Sequence, residues 1–373
     1  MLEDESGRLR LAGDVLSAHL LVTGCIVAVM GTERADGDFE VIDVQVPDLA
    51  PQPERWTLAG AASKQRRPNK IAMVSGLGIT GDRGDCLPLD LLTEYLLGES
   101  GAADTQTSAA SISRLLIAGD SLGSSTLVPS QHQQQTSTDA DPTTTTAMTV
   151  KKTRKYGYDA SAYNAGPTDG FDAFLGALLP SLPVTVLPGA ADPSHAAMPQ
   201  QSLHAALFPR ARAYMSPPTD ANTTDVKSES DTSTPAWLDC VTNPWEGEID
   251  GWRVHASAGQ PVDDVFKYVD GDARLDMMEA MLRWRVAAPT APDTLWCYPF
   301  QDADQFVMGE CPHLFVVGNQ PRFETAVVEG PEGQKVRVVA LPRFRDTGEL
   351  VLVDAETLDV EVVRFSVYEG AEK

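Results

Sequence analysis

The sequence predicts an α/β fold of layered (α+β) type, a two-sheet sandwich flanked by helices, with a smaller β segment ahead of it. Three observations carry this expectation. Short apolar runs that end near glycine alternate with helical patterns through the first half, as Lys70–Ser75, Pro88–Leu97, Ile112–Ala118, Phe171–Leu179 and Pro183–Leu187. A second series of runs, from Trp252–Ser257 to Val360–Phe365, requires another sheet. The chain has 373 residues and is 42% hydrophobic, enough for one large domain plus a small one.

The elements follow in order. Residues 1–57 have β character: Leu21–Met30 is a mainly apolar run, Ala35-Asp36-Gly37-Asp38 reads as a turn, and Phe39–Val46 alternates like a half-exposed strand. Two or three strands do not make a stable barrel alone. This segment therefore packs on the main domain or is completed by strands encoded upstream of Met1.

Residues 58–373 form the main domain. Lys70–Ser75 is a buried strand bounded by Gly76, and Pro88–Leu97 is a helix closed by Gly98. Ile112–Ala118 is a second strand, ending in Gly119-Asp120, and Phe171–Leu179 is helical. Pro183–Leu187 is a third strand, ending in Pro188-Gly189. Trp252–Ser257 opens the second series, followed by a helix over Gly271–Trp284 after Asp270. His313–Val317 is a strand ending in Gly318-Asn319, and Lys335–Leu341, Leu350–Val353 and Val360–Phe365 are closing strands. In such sheets the loops after strand C-termini build the ligand site.

Two stretches break the pattern. Residues 121–167 and 216–235 are rich in Ser, Thr, Gln and Asp. They carry too little apolar surface to offset their ordering entropy and are expected to be disordered insertions. Within the first, Lys151-Lys152-Thr153-Arg154-Lys155 is a candidate nuclear-import signal, set against the plainer reading of a solvated linker. Lys64-Gln65-Arg66-Arg67 is a run of the same kind.

Composition excludes several classes. No apolar run reaches the roughly 18 residues of a membrane span. Ala12–Met30 is interrupted by Asp14 and His19, and the acidic opening Glu3-Asp4-Glu5 is unlike a signal peptide. An intracellular chain without a membrane partner is expected. Cys25, Cys86, Cys240, Cys297 and Cys311 are widely spaced, which argues against a zinc module or disulfide framework. A net charge of -24 repels the phosphate backbone, so contact with DNA is expected only indirectly, through a partner.

The strand-end loops are where chemistry belongs. A two-metal phosphoesterase needs Asp, His and Asn ligands from several strand ends, because two cations clamp the attacking and leaving oxygens. In the calcineurin-like family these come in order as Asp-x-His, Gly-Asp-x-x-Asp, Gly-Asn-His-Glu/Asp, a further His and Gly-His-x-His. The loops here resemble that order but not its ligands. Gly76-Leu77-Gly78 replaces both members of the first pair. Gly119-Asp120-Ser121-Leu122-Gly123 keeps one Asp, and Gly189-Ala190-Ala191-Asp192 keeps only the glycine and an acid. Gly318-Asn319-Gln320-Pro321 has lost both histidines.

The six histidines, His19, His132, His195, His204, His255 and His313, fall outside the expected ligand positions, with His195 nearest to Asp192 in sequence. Asp120 and Asp192 are read as caps of loop N–H groups. The competing reading is an atypical metal-dependent phosphoesterase or nuclease that uses them as residual ligands. Gly76, Gly78 and Gly81 match a Gly-x-Gly-x-x-Gly spacing, but Asp82–Cys86 and Pro88 separate them from the next helix, so nucleotide binding is poorly supported.

Longer strings narrow the resemblance. They are Leu2–Arg8, Leu21-Val22-Thr23-Gly24, Asp48-Leu49-Ala50-Pro51, Val74–Gly78, Pro199–His204 with Leu207-Phe208-Pro209, and Val241-Thr242-Asn243-Pro244. The C-terminal half adds Pro289–Leu295, Cys297-Tyr298-Pro299-Phe300 and Glu310-Cys311-Pro312-His313. Together they resemble the small (second, B) subunits of eukaryotic DNA polymerase delta, within the inactivated calcineurin-like phosphoesterase superfamily.

That resemblance implies a partial N-terminal OB-fold over 1–57 and an inactive phosphoesterase-like domain over 58–373. It implies a nuclear, non-catalytic scaffold without cofactor or metal. Such a scaffold bridges the cysteine-rich C-terminal domain of the catalytic subunit to a third polymerase delta subunit in DNA replication and repair. The vestigial site would comprise Gly76, Gly78, Asp120, Gly123, Ala190, Ala191, Asp192, Asn319 and Pro321. Trp245 and Trp252, with Trp284 and Trp296, are candidate partner anchors, since aromatics are enriched at hot spots.

Overall fold

The structure, a computed structural model, describes residues 1–4, 6–56, 69–82, 86–123, 165–215 and 236–366. A short hairpin, β1 (Leu2–Asp4) and β2 (Gly7–Leu9), opens the chain. It is followed by β3 (Leu11–Ala12), β4 (Ala28–Glu33) and β5 (Phe39–Gln45), a three-stranded sheet in the order β3-β5-β4.

The apolar run from Leu21 becomes a strand only at Ala28. Its earlier residues serve docking: Val22 and Cys25, with the preceding Leu20, pack against the core of the main body. A Cβ at Gly24 would collide with the Pro289 carbonyl, so the loop lies directly on the body.

A strap then ties this segment down. Leu49 and Ala50 are buried. Arg285 donates to the carbonyls of Asp48 at 2.6 Å, Leu49 at 2.9 Å and Pro47 at 3.1 Å. The Cys311 N–H donates to the Pro51 carbonyl at 2.9 Å.

The first half of the body is β6 (Lys70–Val74), α1 (Cys86–Leu96), α2 (Ala103–Ala109), β7 (Ile112–Ala118), α3 (Gly166–Leu178), β8 (Val184–Leu187) and β9 (Leu238–Cys240). The second half begins with β10 (Trp245–Ile249), β11 (Trp252–Ser257), α4 (Gln260–Val265) and α5 (Arg274–Trp284). It continues with β12 (Leu314–Gln320), β13 (Glu324–Glu329), β14 (Lys335–Pro342) and α6 (Phe344–Thr347). The chain then returns to the first sheet as β15 (Glu349–Asp354) and β16 (Val360–Arg364). The two sheets run β16-β15-β6-β7-β8-β9 and β10-β11-β12-β14-β13. Strands β6 to β9 are parallel, as are β11, β12 and β14, so each set ends on one side.

Period-two alternation sorts the side chains into layers. Ile71, Met73, Leu116 and Ala118 meet Val254, Ala256, Leu314 and Val316 between the sheets. The intervening Ala72, Val74, Leu115 and Ile117 face Leu92 of α1 and Phe171, Leu175 and Leu178 of α3. On the far side Phe315, Val317 and Val338 face Met277, Met278, Met281 and Leu282 of α5. Strands covered on both faces read as continuous apolar runs, which explains the pattern seen in the sequence.

Several expectations need correction. Ser121 and Leu122 are buried and α3 starts at Gly166, so the ends of the expected 121–167 insertion belong to the body. Residues 124–164, with His132 and Lys151–Lys155, lie outside the described residues, as do 216–235 and Lys64–Arg67. Helix α5 starts at Arg274, and its N-cap position, Ala273, offers no side-chain cap. Strand β12 runs through Gly318 and Asn319 to Gln320 with a register shift.

Candidate functional site

The parallel strands of both sheets end at a common edge, where their loops are bonded to each other. The Gly76 N–H donates to the Gly119 carbonyl at 2.9 Å, Gly78 to Asp120 at 3.0 Å and Ile79 to Ser121 at 2.9 Å. Gly123 donates back to Ile79 at 2.9 Å. The second sheet joins through Ser75, whose hydroxyl donates to the Pro342 carbonyl at 3.0 Å and accepts the Asn319 N–H at 2.9 Å. The Asn319 side-chain amide donates to the Ala258 carbonyl at 2.9 Å.

Two glycines of the first loop are enforced by shape. Gly76 has φ 60° and Gly78 φ 57°, the left-handed region that favours glycine. A Cβ on Gly76 would stand 2.7 Å from Asn319 Oδ1 and 2.8 Å from both Cβ and Cγ of Arg343. One on Gly78 would stand 2.8 Å from Cδ of Arg345, whose Nη1 donates to the Gly78 carbonyl at 2.9 Å. Aspartate and histidine side chains have no room at these two positions as the loops stand. The glycine-rich match to a nucleotide loop closes in the same way, because a Cβ on Gly81 would collide with the backbone of Gly166.

The retained carboxylates are turned inward. Asp192 is buried and accepts N–H bonds from Gly189 at 2.7 Å, Leu122 at 2.9 Å and Ser121 at 3.2 Å. Burial pushes its carboxyl from the usual 3.8 up to about 6, and the nearby Asp120 adds to that, against the three N–H donors. The ionised form is thus still dominant at neutral pH, as its donors require. Asp120, at φ 52°, accepts the Ala191 N–H at 2.9 Å. Each carboxylate therefore stitches the loop after β7 to the loop after β8. Ala190 and Ala191 are exposed methyl groups, Gly123 is half-buried, and Pro321 sits exposed beyond the end of β12.

These residues do not fit a two-metal centre. Gly76, Gly78, Ala190 and Ala191 supply no side-chain donor, and the Asp192 oxygens are already engaged. Among the described residues no group of three or more His, Cys, Asp or Glu side chains is arranged to hold a metal ion. His255 stacks on Phe315, the ring of His313 accepts the Arg253 N–H at 3.2 Å, and that of His204 accepts the Ala206 N–H at 3.1 Å. His195 is exposed.

Sequence reasoning missed the polar clip behind the loops. Asn243 donates to Gln200 Oε1 at 2.8 Å and to Gln260 Oε1 at 3.0 Å, and its own Oδ1 accepts the Ala258 N–H at 3.0 Å. Gln200 donates to the carbonyls of His195 at 2.9 Å and Gly189 at 3.2 Å. Pro199-Gln200 and Asn243-Pro244 lie inside strings that carried the resemblance, so the signal was present without a chemical reading. Arg343 and Arg345 gave no comparable signal.

The tryptophan candidates divide. Trp252 donates to the Ala355 carbonyl at 2.6 Å, lies 4.2 Å under the Arg55 guanidinium and meets His313 edge-on. Trp245 packs against the inter-sheet core, and Trp284 is buried in the core under α5. Trp296 is the exposed one of the four.

Comparison with known proteins now bears on this edge. The family of DNA polymerase alpha/epsilon B subunits matches residues 71–325, and that described as DNA polymerase delta subunit OB-fold domain matches 1–44. The DNA polymerase delta small subunit of Saccharomyces cerevisiae is 34% identical, with 98% of this chain and 70% of that one covered. Those of Oryza sativa subsp. japonica and Arabidopsis thaliana are also 34% identical, covering 98% of this chain and 73% and 72% of theirs. The chain belongs to the DNA polymerase delta small subunit family. In this small-subunit relative the OB-fold match covers β1 to β4 and nearly all of β5. The longer match starts one residue into β6 and takes in every strand-end loop through Pro321.

Proposed function

We propose that this chain is a non-catalytic accessory subunit of a replicative DNA polymerase. In this reading it is a scaffold that bridges the cysteine-rich C-terminal domain of the catalytic subunit to a third subunit during DNA replication and repair. The supporting observation is the loss of ligand space at the strand-end edge. Asn319, Arg343 and Arg345 fill the space beside Gly76 and Gly78, and Asp192 is committed to three backbone donors. A body that keeps both sheets, loses most ligand positions and turns its two remaining carboxylates onto loop N–H groups suits rigid presentation of partner surfaces.

Residues 1–57 would form the partial OB-fold and 58–373 the inactive phosphoesterase body. A net charge of -24 favours reaching DNA only within the complex, and work on replicating DNA implies a nuclear location.

Co-expression with a C-terminal fragment of the catalytic subunit tests the bridge. A stoichiometric complex on size exclusion is expected, and separate elution would sink the reading. A phosphodiesterase assay with manganese tests the missing activity. Turnover that is abolished by Asp120→Ala would restore the atypical phosphoesterase reading built on Asp120 and Asp192.

A further inference from the structure

We propose that the aromatic loop spanning 291–306 is a docking groove for an extended, basic segment of a partner polypeptide. Trp296, Tyr298 and Phe300 are 68%, 60% and 47% exposed, although large aromatic side chains are those that gain most from burial. They alternate along an extended stretch pinned to the body. Met198 donates to the Trp296 carbonyl at 2.8 Å, and the Tyr298 N–H donates to the Met198 carbonyl at 2.8 Å. The Tyr298 and Phe300 rings lie 4.8 Å apart and continue as a ridge. Beside the ridge runs a groove of about 400 Å³ floored by Ala291, Pro292, Cys297 and Phe306.

Charge decides the occupant. From Val286 to Pro321 the chain has no lysine or arginine, but it has Asp293, Asp302 and Asp304, besides Glu310, which is paired with Arg253. Asp304 lines the groove, and Asp302 is exposed two residues before it. Nucleic acid and anionic lipid are repelled by such a rim. A second copy would bring the same carboxylates and another net charge of -24. A cationic polypeptide gains from them instead. An extended chain suits the ridge, since grooves of aromatic and proline residues take extended segments at low ordering cost. This assignment does not depend on which protein supplies the segment, so it stands or falls apart from the scaffold role.

The test is a binding titration of the full chain against synthetic peptides of proline and apolar residues, flanked by arginine, alanine or glutamate. Arginine-flanked peptides are expected to bind, with affinity falling as salt is raised. Trp296→Ala and Tyr298→Ala should each weaken them about tenfold or more. Joint Asp302→Lys and Asp304→Lys substitution should shift preference to the glutamate-flanked set. Trp296 and Tyr298 are exposed, so the melting temperatures of their alanine variants should not change. Failure of every arginine-flanked peptide to bind would overturn the proposal, as would binding indifferent to both aromatic variants. Self-association of the free chain that Trp296→Ala abolishes would assign the surface to a second copy and overturn it too.

Discussion

At position 76 two constraints coincide, a left-handed backbone and three neighbouring atoms within 2.8 Å of any Cβ. Gly76→Asp, the change that would restore the first ligand of a phosphoesterase, should therefore destabilise the chain by roughly 2–4 kcal/mol. It should recruit no manganese, and thermal melts with and without the metal would show a lowered midpoint that the cation leaves unmoved. Asp192 makes a prediction of opposite character. Its carboxyl is raised by burial to about 6 from the usual 3.8, so the folded state holds a proton that the unfolded state has released. That contribution to stability is complete below the unfolded value and is lost as pH rises through the folded one. The stability gap between the native chain and Asp192→Asn should thus shrink by about 1–3 kcal/mol between pH 4 and pH 7. Urea titrations of both proteins across that range measure it, and a constant gap would refute the shift.

At the scale of elements, the clip of Gln200, Asn243 and Gln260 holds the loop after β8 to the start of α4. Asn243 is fully buried and uses both ends of its amide. Asn243→Ala leaves the Ala258 N–H and the Gln200 and Gln260 oxygens short of partners, at a cost of about 2–4 kcal/mol. Chemical denaturation should show a lower midpoint, and amide exchange should quicken first at Ala258. Elements such as this also mark what the sequence could reveal. Strands β6, β7 and β12 were legible because burial on both faces leaves an unbroken apolar run. Strand β13, with glutamate at both ends and a sheet edge on one side, carries no such mark. The Leu21 run misled because its hydrophobicity serves docking to Pro289 rather than strand pairing. Within the site, the order of the loops and the loss of their ligands were readable from local motifs. Arg345 was not, since it reaches Gly78 from 267 positions away, a contact that no local pattern encodes.

For the molecule as a whole, the path of the chain makes the first sheet depend on its last strands. Strand β15 lies between β16 and β6, pairing Val351 with Met73 and Val353 with Ile71. Its Leu350 and Leu352 belong to the helix-covered core, and its Val351 and Val353 to the core between the sheets. Deleting residues from Glu349 onward removes these four buried side chains, each contributing about 1.5–3 kcal/mol. It also removes one of the two ladders of β6, the strand that leads into Gly76 and Gly78. The summed loss, roughly 6–12 kcal/mol, matches the whole stability of an ordinary domain, about 5–15 kcal/mol. The truncated chain should therefore show no cooperative thermal transition by circular dichroism. It should also fail to capture any partner that the intact chain binds, including through the groove at Trp296 on the opposite sheet's side. A truncated chain that still melts cooperatively would mean that the two sheets are energetically separate, and that the strand-end edge is not held by the body it caps.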